Sequence, residues 1–111
     1  MSQPIQSSVT VRMKVKPEKH DEFLQILAQV TQSAQTQEPD CFLYATWKTE
    51  TPFEYLMVES YWSDDGRREH ERLHAGVGRA FLDCLAEMPV VEKLGDVLFS
   101  QLYTKPEAPW P

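Results

Sequence analysis

The chain has 111 residues, 41% hydrophobic and 25% charged, which is the balance of a single globular domain. Its 11 basic residues are scattered and outnumbered by 17 acidic ones, for a net charge of −6, which argues against a partner held through nucleic-acid phosphates. No apolar run reaches the roughly 20 residues of a membrane helix, and Met1 to Ser8 lacks the pattern of a signal peptide. No membrane association and a cytoplasmic location are therefore expected.

From Val9 to Val15, apolar residues alternate with Thr10, Arg12 and Lys14, the period-two signature of a strand with one buried face. Pro17 suits the first turn of a helix, and Glu18 and Asp21 place negative charge at its positive end. Phe23, Ile26, Leu27, Val30 and Ala34 then recur at helical spacing, predicting an amphipathic helix to Thr36 or Gln37 that Pro39 ends. Cys41–Lys48 reads as a second strand, Thr49–Pro52 as a turn and Glu54–Trp62 as a third strand, together an antiparallel hairpin.

Ser63, Asp64 and Asp65 are good caps for a second helix through His74. Gly76 and Gly78 are expected to interrupt it, and Arg79–Glu87 to continue with Phe81, Leu82 and Leu85 inward. Val90–Tyr103 is expected as a last strand region, broken at Gly95. The order is β-α-β-β-α-β, an α+β domain of ferredoxin-like type with an antiparallel sheet and its helices on one face. The domain core spans about residues 8–103, and residues 104–111, with three prolines, form an extended tail. The uncovered sheet face also looks apolar, and a homodimer is the simplest cover. Cys41 and Cys84 form no metal or redox motif and are expected as reduced, buried thiols.

His70-Glu71-Arg72-Leu73-His74 matches H-E-x-x-H, in which two histidines one turn apart bind zinc and the glutamate acts as base. The string is short and heavily charged, and Val77 and Ala80 stand where a longer zinc motif would continue. Glu87 or Glu92 can be suggested as third ligand, but no metal is expected.

Other residues carry a broader pattern. Lys16-Pro17-Glu18-Lys19 leads into a helix with an early Phe23. Glu38-Pro39-Asp40-Cys41 steps into the second strand, with Tyr44 three residues on. Glu59-Ser60-Tyr61 ends the third strand, and His70 follows on a helix. In this order and spacing, from Val9 to Tyr103, the chain resembles the antibiotic biosynthesis monooxygenase family of dimeric α/β-barrel proteins. Asp40 stands in place of the family glycine, and aspartate tolerates a left-handed turn better than most residues.

The resemblance implies a homodimer that needs no cofactor and oxidises a small aromatic polyphenol or quinol. It implies His70 as the catalytic base, imidazole being suited to proton transfer near neutral pH. Tyr61 and Glu59 are expected to orient the reacting groups, and Trp62, Tyr44 and His74 to contact a small aromatic or apolar metabolite. Tyr61 and Trp62 must point to opposite sheet faces. Relatives of this fold leave alternatives: a small-metabolite isomerase, a non-catalytic ligand-binding dimer or a haem-degrading enzyme, the last using a first-strand asparagine that Val9–Val15 lacks.

Overall fold

A computed structural model describes residues 6–95. Strand β1 (Ser7–Lys14) leads through a 3-10 turn (Pro17–Lys19) into helix α1 (His20–Gln37). The hairpin β2 (Cys41–Lys48) and β3 (Glu54–Tyr61) follows, then α2 (Asp64–Leu73), α3 (Ala75–Asp83) and β4 (Val90–Leu94). All pairings are antiparallel, and the sheet order is β2-β3-β1-β4. This is the expected α+β, ferredoxin-like topology. The sheet is open, with β2 and β4 as its edges.

The core forms where the apolar side of α1 meets the inner face of β1 and β3. Phe23 and Met13 are fully buried there, beside Val30, Tyr55 and Met57. The Phe23 ring lies 5.3 Å from that of Tyr55 and 5.5 Å from that of Phe81 on α3. Aromatic packing thus joins α1, β3 and α3. Cys41 and Cys84 are both buried and not joined in a disulfide.

Three expectations change. The second helix ends at His74 as expected, but the glycines interrupt nothing: α3 runs straight through Gly76 and Gly78. A glycine inside a helix costs only about 1 kcal/mol against alanine, so tertiary packing overrides it. Leu82, expected inward, is 45% exposed.

The third change concerns Asp40. Among the described non-glycine residues, only Phe53 has a positive φ, 62°. Asp40 therefore needs no left-handed tolerance. Its carboxylate accepts from the Ser63 hydroxyl, its carbonyl accepts from Trp62 N–H at 2.8 Å, and Ser63 Oγ accepts from Gly66 N–H at 3.1 Å. Asp40 thus fastens the end of α1 to the start of α2 through the α2 cap.

The expected strand region past Leu94 and the proline-rich tail lie outside the described residues. On the face away from the helices, β2 and β3 present Leu43, Ala45, Trp47, Leu56 and Val58, with Trp47 52% exposed. On β1 the same face carries Thr10, Arg12 and Lys14, which separate that apolar patch from Val90 and Leu94 on the β4 edge.

Candidate functional site

The end of α1 and the break between α2 and α3 meet over the inner face of β2 and β3. Glu38 follows the last residue of α1, and Pro39 prevents the helix from continuing. His70 lies in the last turn of α2, and His74 occupies the break, with φ −109° and ψ 11°. These three side chains converge. His70 Nδ1 donates to Glu38 Oε1 at 2.5 Å, and His74 Nε2 donates to Glu38 Oε2 at 3.0 Å. The Ser33 hydroxyl adds a third hydrogen bond at 3.1 Å.

Glu38 is buried, its side chain only 3% exposed. Burial alone would raise its pKa. The hydrogen bonds from His74 and His70 outweigh that and hold the carboxyl below the ordinary range. The carboxylate also fixes the His70 tautomer: with Nδ1–H donating, Nε2 is left as the acceptor nitrogen.

The His70 ring centroid lies 5.2 Å from Tyr44, 5.6 Å from Tyr61 and 4.6 Å from His74. His70 and His74 stand at the wall of a cavity of about 520 Å³ between the sheet and the helices. Val11, Ile26, Val30, Met57, Val77 and Phe81 supply apolar lining, while Tyr44, Glu59, Arg67 and Glu71 add polar groups. This is the composition expected of a small-molecule site, with broad apolar walls and a few convergent polar groups.

The Tyr61 hydroxyl donates to Glu59 Oε1 at 2.9 Å. Burial raises the Glu59 pKa despite that hydrogen bond. Burial and the Glu59 charge both push the Tyr44 and Tyr61 phenols far above their usual range, so both remain hydrogen-bond donors. Arg67 donates through Nε to Ser7 Oγ at 2.9 Å and through NH1 to Glu71 Oε1 at 2.9 Å, anchoring α2 to β1.

Of the residues singled out in the sequence, His70, His74, Tyr44 and Glu59 line this cavity together. Tyr61 is fully buried behind it, reaching it through Glu59. Trp62 is not brought to the cavity. It stacks on Phe42 with centroids 4.0 Å apart. Glu38 was missed as a functional residue. Its motif was visible in the sequence, but only the tertiary fold carries it to histidines 32 and 36 positions later.

The antibiotic biosynthesis monooxygenase family model matches residues 7–84, from the first strand to the end of the last helix. The chain belongs to this family. A candidate antibiotic biosynthesis monooxygenase of Caulobacter crescentus CB15 is 27% identical, with a TM-score of 0.76 over 83% of this chain and 90% of that one. A Mycobacterium tuberculosis protein shares the fold at 16% identity, with a TM-score of 0.79 over 87% of this chain and 100% of that one. A conserved Methanosarcina mazei Go1 protein does so at 20% identity and a TM-score of 0.74, over 82% and 92% of the two chains. No curated protein matches the chain significantly. Family membership points to monooxygenase-like chemistry or small-molecule binding, and among the described residues no helix is long and apolar enough to cross a membrane.

Proposed function

We propose that this family member is a homodimeric, cofactor-independent monooxygenase of a small aromatic polyphenol or quinol. The observation that carries the reading is the Glu38–His70 pair at the polar end of an otherwise apolar cavity. The apolar walls accept the ring. His70 Nε2 takes the phenolic proton, and Glu38 stabilises the imidazolium that results. The deprotonated ring is electron-rich and reduces dioxygen. One oxygen atom becomes a ring carbonyl, and the other leaves as water with the hydrogens of the oxidised C–H and O–H. Tyr44 lines the cavity as a hydrogen-bond donor, and Tyr61 fixes the orientation of Glu59 at the cavity wall. His74 shares Glu38 and contacts the ligand.

The apolar half-face of β2 and β3 supports the dimer, since proteins of this fold are commonly dimeric. Trp62, outside the cavity and stacked on Phe42, belongs to the packing near the outer sheet rather than to substrate contact. Two buried thiols without a disulfide suit a reducing cytoplasm.

Oxygen uptake with a panel of quinols tests the reaction. Uptake that His70→Ala abolishes and Tyr61→Phe reduces supports it. Uptake unchanged in both variants contradicts the site. A thermal upshift with aromatic ligands but no oxygen consumption would instead identify a non-catalytic binding dimer, because a ligand of the native state raises apparent stability.

A further inference from the structure

Glu38, His70 and His74 have a second property that does not rest on the oxygenase reading. Their donor atoms, two imidazole nitrogens and a carboxylate oxygen, all lie within 4.8 Å of one another. His70 Nδ1 lies 2.5 Å from Glu38 Oε1, and His74 Nε2 lies 3.0 Å from the other carboxylate oxygen, Oε2. Donors bound to one ion at about 2.1 Å stand about 3.0–3.4 Å apart, so the cluster is near the size of a metal site. The expectation of no metal came from the sequence, where the third ligand of the H-E-x-x-H string was sought at Glu87 or Glu92. In the fold Glu87 pairs with Lys14, Glu92 lies on the exposed strand β4, and the third donor is Glu38, from the opposite end of the domain's first helix.

We propose that Glu38, His70 and His74 bind one divalent transition-metal ion, in a two-histidine, one-carboxylate arrangement at the edge of the apolar cavity.

Three observations support this. Among the described residues, no lysine or arginine pairs with the buried Glu38 carboxylate, so a dication would supply positive charge where Glu38 now has the hydrogen bonds of His70, His74 and Ser33. His74 sits at the helix break and is half-buried, which makes it the ligand able to close the remaining distance. The cavity at His70 and His74 leaves room for a water or a ligand oxygen on the ion's open side. Imidazole with carboxylate selects Zn²⁺, Co²⁺ or Fe²⁺ over Mg²⁺ and Ca²⁺. Glu71, the glutamate of the string, is ion-paired with Arg67, so the arrangement is not that of a zinc peptidase with a free glutamate base. A bound ion would also take His70 Nδ1 and Glu38 from their hydrogen bond. Metal loading and proton abstraction by His70 are therefore competing states of one cluster.

The test is Co²⁺ titration of the full chain after chelator treatment, read by visible absorption, with Zn²⁺ stoichiometry from calorimetry. The expected result is saturation at one ion per chain and visible bands of histidine-ligated Co²⁺. Glu38→Gln and His74→Gln should each weaken binding at least about tenfold, while His20→Gln, a histidine paired with Tyr55 away from the cluster, should not. Should Glu38→Gln fail to fold, His74→Gln carries the test by itself. Absence of stoichiometric uptake, uptake insensitive to the cluster variants, or uptake lost in His20→Gln would each overturn the proposal. Running the quinol panel in chelator separates the two readings: oxygen uptake there, without metal binding, leaves the oxygenase reading standing and removes only the metal site.

Discussion

Glu38 and His70 stand 32 residues apart in the chain and 2.5 Å apart in the fold, carboxylate Oε1 to imidazole Nδ1. The contact joins the end of α1 to the last turn of α2 and fixes which nitrogen of His70 can meet a ligand. Structure and chemistry therefore share one hydrogen bond. Glu38→Ala leaves two imidazoles without their acceptor, and a buried donor without a partner costs about 1–3 kcal/mol. Thermal denaturation should show a Tm lower by several degrees, at about 4–8 °C per kcal/mol for a domain of this size. Glu38→Gln, which keeps one acceptor oxygen, should lose less.

Gly66 offers a test of the α2 anchor. A glycine in the first turns of a helix is ordinarily improved by alanine. Here a Cβ on Gly66 would overlap the Asp40 carboxylate, which must then leave Ser63. Gly66→Ala is expected to destabilise the domain by about 1 kcal/mol or more, the scale of a lost cap. Denaturant unfolding would read this as a lower midpoint at unchanged slope.

Glu59 should make stability depend on pH in an uncommon direction. Its folded pKa is raised by burial, above the value in the unfolded chain. At pH below the unfolded value, near ~4.3, both states are protonated and nothing is lost. As pH rises through the unfolded and then the folded pKa, the folded state must ionise a desolvated carboxyl, and stability falls. Glu59→Gln removes that charge and keeps an oxygen for the Tyr61 hydroxyl. The variant's Tm advantage should be small at mildly acid pH and grow toward neutral pH. A gain that shrinks over that range would contradict the burial argument.

The outer sheet face carries the dimer expectation. Leu43 and Trp47, 37% and 52% exposed, are the large exposed apolar side chains of its β2–β3 part. Trp47→Glu together with Leu43→Glu should convert a dimer to a monomer by light scattering at micromolar concentration, with little change in far-ultraviolet circular dichroism. A wild-type monomer under the same conditions would refute the sheet-to-sheet pairing.

Local pattern alone was enough to place most elements. The alternation from Val9 to Val15 and the spacing of Phe23, Ile26, Val30 and Ala34 located β1 and α1, because period-two and helical repeats are properties of neighbouring residues. The β-α-β-β-α-β order was legible in the same way, and the resemblance carried by the motifs pointed to the family and to His70, His74, Tyr44 and Glu59 as cavity residues, though also to Trp62, which lies elsewhere. The course of the chain after His74 was not. The two glycines suggested an interruption at positions 76 and 78, whereas α3 runs through both, and His74, where α2 ends, reaches Glu38 across the domain. Nor could Asp40 be read correctly: its substitution for glycine suggested a matter of backbone torsion, and the structure makes it a hydrogen-bonded clasp on α2.

The H-E-x-x-H string shows the same division most plainly. Sequence alone determined that two histidines lie four residues apart and that a carboxylate could join them. Which carboxylate it is depends on where α1 ends relative to α2, and that is set by the packing of Phe23, Val30 and Phe81 against the sheet rather than by any short-range pattern. Only the folded chain brings Glu38 to His70 and His74, since the contact closes loops of 32 and 36 residues.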